Sequence, residues 1–586
     1  MLRSEVKENY KWKLEDIYPT DSAWEREYTL LTEKIAEIET WKAGCTQSSA
    51  ALAEAYRKID EISLLCERLY VYARMRRDED NANAVYQAMA DRAQSINVKA
   101  SAALSFFDPA LLGVGEETLR SWIKTQPALA DYAFGIRDLL RAQTHVLSEK
   151  EENILSRAGD FSGGAKDIFT MLNNADLDFG TVDGKPLTHG SYILFMQDPD
   201  RLVRKKAFDR MYQTYQGMIN TIAAAYSTSV KKDVFYASVR GFDSALERAL
   251  FADDVPKELY TNLIGTVRKN IGVMHDYVDL KQQLLGLPDM HMYDIYAPLI
   301  PEDKKEYTYE QACELVLQAM APLGQDYVDL LSRAIRERWI DVEETKGKTS
   351  GAYSWGCYGT HPYVLLNHRG DLDSVFTIAH ELGHALHSYY SNEAQPYSLS
   401  GYTIFVAEVA STVNEILLTE YLLKNADDQT KKTVLNHYLD QFRTTVVRQT
   451  MFAEFEMLTH RMAENGQPLT PESLCAVYAK LNAEYHGKNM CKDEMISYEW
   501  ARIPHFYNAF YVYKYATGFS CAVNIVKNIR ESGSPDAYRA FLKTGGSDYP
   551  LKELETADVH LKTGEPVEAC MQEFASALDT FKSLFK

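Results

Sequence analysis

Two neighbouring stretches decide how the chain folds: Asp371–Leu386, DLDSVFTIAHELGHAL, and Tyr402–Asn425, YTIFVAEVASTVNEILLTEYLLKN. In both, apolar residues recur at three- and four-residue spacing, which lays an apolar stripe along a helix that must be buried against another element. Asp371 or Asp373 can cap the first helix. Val375, Phe376, Ile378, Ala379, Leu382, Ala385 and Leu386 then supply a wide apolar surface. The same spacing runs through Leu52–Arg77, Ala207–Tyr236, Lys432–Glu464 and Pro471–Tyr485. Gly (30) and Pro (18) are sparse in the 586 residues, so little interrupts these runs. The expected fold is mainly α.

Strand signals are few. Leu177–Thr181 and Lys185–Thr188 flank Asp183-Gly184, a pair suited to a two-residue hairpin turn. A loop at Asp198–Asp200 precedes a new long helix from about Arg201. This sets an expected boundary: residues 1–200 form an N-terminal helical lobe ending in the hairpin, and residues 201–586 form a second helical domain. His361–His368 (HPYVLLNH) is the other strand candidate, following the glycine-containing segment Gly351–Gly359. No internal repeat or low-complexity tract suggests a solenoid.

Lys and Arg number 63 against 83 Asp and Glu, a formal charge of −20. Nucleic acid and anionic membranes both require a basic footprint, so neither is an expected partner. The eight cysteines are scattered with no CxxC pair. Met1–Tyr18 is charged throughout and lacks the apolar core of a signal peptide, and no apolar run reaches about 20 residues. A reducing, cytoplasmic setting is the expectation.

The chemistry lies in His380-Glu381-Leu382-Gly383-His384. Residues at i and i+4 share a helix face, so both imidazoles can converge on one cation. Glu408 follows His384 by one loop and the start of an antiparallel helix. Glu408 and Glu415 stand seven apart among Phe405, Val406, Val409, Ile416 and Leu417, where a carboxylate is costly unless paired or bound to metal. His380, His384 and Glu408 make a three-ligand set for one Zn2+ per chain, with a fourth position open to water. Glu415 is a candidate acceptor for a ligand imidazole N–H. Glu381, rotated about 100° per residue away from the ligand face, can take a proton from water and deliver it to a leaving amine. His387 lies on the same side but not at the spacing of a third ligand, and reads as a packing residue or as one that supports a ligand.

Hydrogen-bond donors for the oxyanion must come from elsewhere. Arg502–Gly518 (RIPHFYNAFYVYKYATG) holds His505, Tyr507, Tyr511, Tyr513 and Tyr515. His505 and Tyr511 are the expected pair, with Tyr507 and Tyr513 as further candidates; apart from the zinc motif, this stretch reads as an aromatic core helix.

On these residues the chain resembles the oligoendopeptidase F family, within the thimet-oligopeptidase-like zinc metallopeptidases. The resemblance rests on Phe376–Ser388 (FTIAHELGHALHS), Ile404–Thr412 (IFVAEVAST), Gly351–Ser354 (GAYS), Pro362–Asn367 (PYVLLN) and Arg502–Tyr507 (RIPHFY). Weaker similarity runs through Tyr293–Leu299 to the hairpin, covering residues from about Leu140 onward, and loosely Trp12–Tyr18. It implies a helical, zincin-like fold with a deep channel between two lobes, zinc at its floor and small β elements nearby. It implies cleavage of short, unstructured peptides, zinc ligation by His380, His384 and Glu408, and Glu381 as general base. It implies that the edge of His361–His368 pairs with substrate backbone, with Tyr363 a substrate-binding candidate. Thimet-type relatives carry a glycine-rich loop between the substrate-binding histidine and its tyrosines. Here Phe506–Phe510 has no glycine, as suits the oligoendopeptidase F branch.

Two other functions use the same residues. A zinc exopeptidase would need a group that captures a substrate terminus, and no motif supplies one. A non-enzymatic helical scaffold would retain the metal for stability, but structural zinc sites are closed and thiolate-rich. Oligomeric state, physiological substrate and cleavage preference leave no trace in the sequence.

Overall fold

The computed structural model describes residues 1–300 and 305–585. Helices occupy 73% of it, as the apolar spacing predicts. Each periodic run is helical: Ser49–Glu79 covers the first, and Pro471–His486 the last. Ala207–Tyr236 is two helices, Arg201–Gly217 and Ile219–Val239, with Asp200 capping the first through Leu202 N–H. Lys432–Glu464 is interrupted by a π-helical turn at Phe442–Val447.

The expected hairpin is present but short. Strands β1 (Thr181–Val182) and β2 (Lys185–Pro186) pair antiparallel across Asp183-Gly184. Both turn residues have positive φ, 49° and 80°, as a turn matching the strand twist requires. Leu177–Phe179, expected as strand, follows a π-helical turn at Leu172–Asp176 and is unpaired.

The chain forms two compact units, each built from three segments. The first comprises Met1–Thr144, Lys304–Tyr421 and Ile525–Asp558; the second comprises His145–Asp303, Leu422–Asn524 and Val559–Lys586. The boundary expected at 200/201 therefore falls inside the second unit. The loop at Asp198–Asp200 ends one helix and begins another without leaving that unit.

In the first unit, helices Asp21–Trp41, Ser49–Glu79 and Ala84–Leu104 pack together, capped by Thr20, Ser48 and Asn83. Trp24, Leu31, Ile62, Leu69 and Ile96 form their core. Trp12, Leu14, Ile17 and Tyr18 insert into the same core, and Trp12 Nε1 donates to Glu79 Oε1 at 2.7 Å.

A three-stranded sheet lies beside that core. Strands β3 (Ile340–Asp341), β4 (Tyr353–Trp355) and β5 (Tyr363–Leu365) are ordered β3-β5-β4, with β5 parallel to β3 and antiparallel to β4. The strand expected around 361–368 is therefore central, with both edges in use. It cannot pair with substrate. Beyond β3, Val342 N–H donates to Tyr10 O, so the open edge is that of β4, in the glycine-containing segment.

Candidate active site

The helix Leu372–Ala394 begins at Asp371, whose carboxylate accepts Ser374 N–H at 2.8 Å. Ile404–Asn425 forms the helix that crosses it. Gly383 permits the crossing: a Cβ there would stand 2.7 Å from Ala410 O and 2.7 Å from Ser411 Cα. Only a residue without a side chain allows two backbones so close. Asn414 fastens the contact, donating to Ala379 O at 3.0 Å and accepting from Tyr327 Oη–H at 3.1 Å.

This contact brings together the three expected ligands. His380 Nε2 and His384 Nε2 lie 3.2 Å apart, and Glu408 Oε2 lies 3.4 and 3.5 Å from them. Donors about 2.0–2.1 Å from a tetrahedral zinc stand about 3.3–3.4 Å apart. The triangle and its His2Glu donor chemistry fit a catalytic zinc. Glu408 is not buried as expected: its side chain is 44% exposed. It shares a helix face with exposed Ile404, whereas Phe405, Val406 and Val409 turn inward.

Surrounding groups hold these donors in place. Glu415 Oε1 lies 2.5 Å from His380 Nδ1, which leaves Nε2 for the cation. Ser411 Oγ donates to Glu408 Oε2 at 3.2 Å. Burial opposes charging of His380, yet the Glu415 hydrogen bond and the charges of Glu415, Glu381 and Glu408 push it up to about 9. Such a concentration of carboxylates favours a cation of any kind. The hydrogen bond with His384 brings Glu408 down to about 2, against the effect of burial.

Glu381 is nearly buried. Burial raises its pKa, the two histidines pull it down, and Glu408 and Glu415 add to the rise. It lines a cleft of about 290 Å³ with Gly351, Ala352, Asn367, Arg369 and Thr377. The cleft thus joins the carboxyl to the approach to β4.

His387 is fully buried, its ring stacked on Tyr402 with centroids 3.8 Å apart, and burial pushes it down to about 3. It is a packing residue. Tyr363 is also fully buried, edge-on to Trp12 at 6.4 Å in the core. Its place in the central strand aims the ring away from solvent, which removes it as a substrate contact.

The aromatic run belongs to the second unit. It is not one helix: Glu494–Arg502 and Pro504–Tyr507 are 3₁₀ turns, and a helix starts only at Tyr513. Between them Phe510 has φ 58°, its N–H donating to buried Glu456 Oε1 at 2.9 Å. This bend groups His505, Tyr511 and Tyr515. The His505 and Tyr511 rings stack with centroids 6.1 Å apart, and Tyr515 Oη is 3.3 Å from His505 Nε2. Burial, then the Arg448 charge, lowers the His505 pKa, favouring the neutral ring. Tyr507 stacks on Phe169 and Tyr513 packs against Tyr260, both buried. They are core residues rather than site candidates. Tyr515 joins the group instead, and helical spacing from Tyr511 is the signal that points to it.

Nearly the whole chain is similar to known proteins. Residues 194–573 match peptidase family M3, and residues 111–179 match the Oligopeptidase F N-terminal family. Oligopeptidase PepF of Bacillus subtilis is 44% identical over 99% of this chain and 88% of its own length. A solved structure from Chlamydophila abortus has a TM-score of 0.93 at 35% identity, covering 100% of this chain and 99% of its own. Oligoendopeptidase-F from Enterococcus faecium has a TM-score of 0.74 at 35% identity, covering 96% and 99%. The chain is therefore a metalloendopeptidase of peptidase family M3, belonging to the oligoendopeptidase F group.

Proposed function

We propose that this enzyme is a zinc-dependent oligopeptidase that cuts internal bonds of short, unstructured peptides, with Glu381 as general base. The observation that carries the reading is the triangle of His380 Nε2, His384 Nε2 and Glu408 Oε2 beside a carboxyl of raised pKa. His380, His384 and Glu408 would hold the zinc, which when bound would supply Lewis acidity and make nearby water more acidic. Glu381 takes the proton released as water attacks, then gives it to the departing amine nitrogen. Its raised pKa suits both transfers. Within the second unit, Tyr515 orients the His505 ring through the contact of its Oη with Nε2.

Substrate backbone pairs with the open edge of β4, as an added strand whose hydrogen bonds do not depend on side-chain identity. An extended chain can add to that edge; a folded protein cannot. Among the described residues no helix is long and apolar enough to cross a membrane. The eight free cysteines support a reducing, cytoplasmic setting.

The test is cleavage of a peptide of about ten residues, blocked at both ends and internally quenched, before chelation, after it and after zinc is restored. Internal cleavage that stops and returns, with casein spared, is expected. Trimming of a free peptide but not the blocked one would move the enzyme to the exopeptidases. Glu381→Gln should retain zinc and lose about 10²–10⁴-fold in rate.

A further inference from the structure

We propose that Asp289, His291 and Cys491 form a second metal site, separate in sequence and chemistry from the histidine triangle, that takes a thiophilic divalent cation of the Zn2+ class. Their ligand atoms all lie within 4.8 Å of one another, and His291 Nε2 is 3.6 Å from Asp289 Oδ2. Sulfur, nitrogen and oxygen donors on a tetrahedral zinc stand about 3.3–3.8 Å apart, a range that already includes the His291–Asp289 separation.

The backbone builds this arrangement. Met290 and Met490 form a parallel bridge, and Cys491 N–H donates to Met290 O at 2.7 Å. Both methionine side chains are buried. In extended chain, alternate residues point the same way, so Asp289 and His291 leave on the side opposite Met290. Cys491 meets them from the facing segment.

Two of the three ligands, His291 and Asp289, have a group that orients them. Asp493 Oδ1 lies 2.6 Å from His291 Nδ1, while Asp493 Oδ2 accepts Met292 N–H at 2.9 Å. That holds the imidazole with Nε2 toward the other donors, the carboxylate–histidine relay common at metal ligands. Arg201 Nη2 donates to Asp289 Oδ1 at 2.6 Å and to Asp289 O at 2.9 Å, leaving Oδ2 for the cation. Arg201 is itself anchored to fully buried Asp294. Three donor types, two of them turned inward by their own partners, exceed what a surface cluster of acids provides. Soft sulfur selects a thiophilic ion over Mg2+ or Ca2+.

The test titrates zinc-loaded enzyme with Cd2+ and reads the ultraviolet charge-transfer absorbance of a cadmium–thiolate bond. The histidine triangle contains no sulfur and is silent in this readout. One equivalent should saturate the band. Cys491→Ser should abolish it while peptide cleavage continues at the parent rate, which shows that the variant folds. His291→Ala and Asp493→Asn should each weaken binding at least about tenfold. No band in the parent enzyme, a band that survives Cys491→Ser, or full affinity in His291→Ala would each overturn the site.

Discussion

Gly383 and Ser411 approach so closely that a methyl group on the glycine would lie 2.7 Å from the Ser411 Cα. The glycine inside the zinc motif is thus a spacer between two helices. It fixes how far Glu408 stands from the histidines of the preceding helix.

Gly383→Ala tests this. In an exposed helix the change would stabilise by about 1 kcal/mol. Here the added carbon meets backbone, which cannot rotate away, and the expected result is a loss of about 1–3 kcal/mol. Glu408 should move outward with its helix, so zinc affinity measured by competition with a chelator should fall with the melting temperature. Unchanged affinity would show that the crossing has slack.

Glu415→Gln removes the carboxylate beside His380 Nδ1 and retains its shape. Zinc affinity should fall about 10–100-fold. Cleavage with zinc in excess should recover most of the parent rate, because Glu381 and the ligands are untouched. Failure to recover would place Glu415 in the chemistry rather than in support of His380.

Two phenylalanine substitutions separate the tyrosines. Tyr511→Phe should lower kcat by about 10²–10³-fold if its hydroxyl stabilises the oxyanion. Tyr513→Phe deletes a hydroxyl buried in the core and should change the melting temperature more than kcat. The reverse order would return Tyr513 to the site and remove Tyr511.

Glu553 offers a pH test apart from catalysis. Its side chain is buried, and burial pushes its pKa up to about 8. The folded state therefore holds this proton more tightly than the unfolded chain does. The resulting stability is complete below the ordinary carboxylate range and is lost as pH rises toward about 8. Glu553→Gln should melt above the parent at pH 9, by an amount equivalent to about 5 kcal/mol, and close to it at pH 5. Parallel melting curves across that range would exclude Glu553 as a titrating group.

Local rules made part of this molecule legible in advance. The i, i+4 spacing of His380 and His384 places both rings on one side of any helix, and apolar periodicity required a helix there. The helix start near Arg201 and the Asp183-Gly184 turn were readable because a loop-to-helix change and a two-residue turn depend on the residues at hand. What resisted was set by distant partners. Strands β3 to β5 are two or three residues long, too short for alternation to show, and their order depends on β3 pairing with β5 across more than 20 residues. The aromatic run gave no sign of which rings face inward, because the left-handed Phe510 resets the direction of everything after it. Glu408 looked buried because its sequence neighbours are apolar, though they occupy other sides of the helix. The segment exchange between the two units has no local signature.

That exchange bears on how the protein is made. The candidate metal ligands His380, His384 and Glu408 emerge from the ribosome with the middle segment of the first unit, well before Ile525–Asp558 has been translated. Until that last segment arrives, the nascent first unit lacks one of its three pieces. The histidine motif is therefore synthesised early but cannot sit in a finished fold until translation is nearly over, which restrains a peptide-cutting centre during the period when unfolded chain is nearest to it.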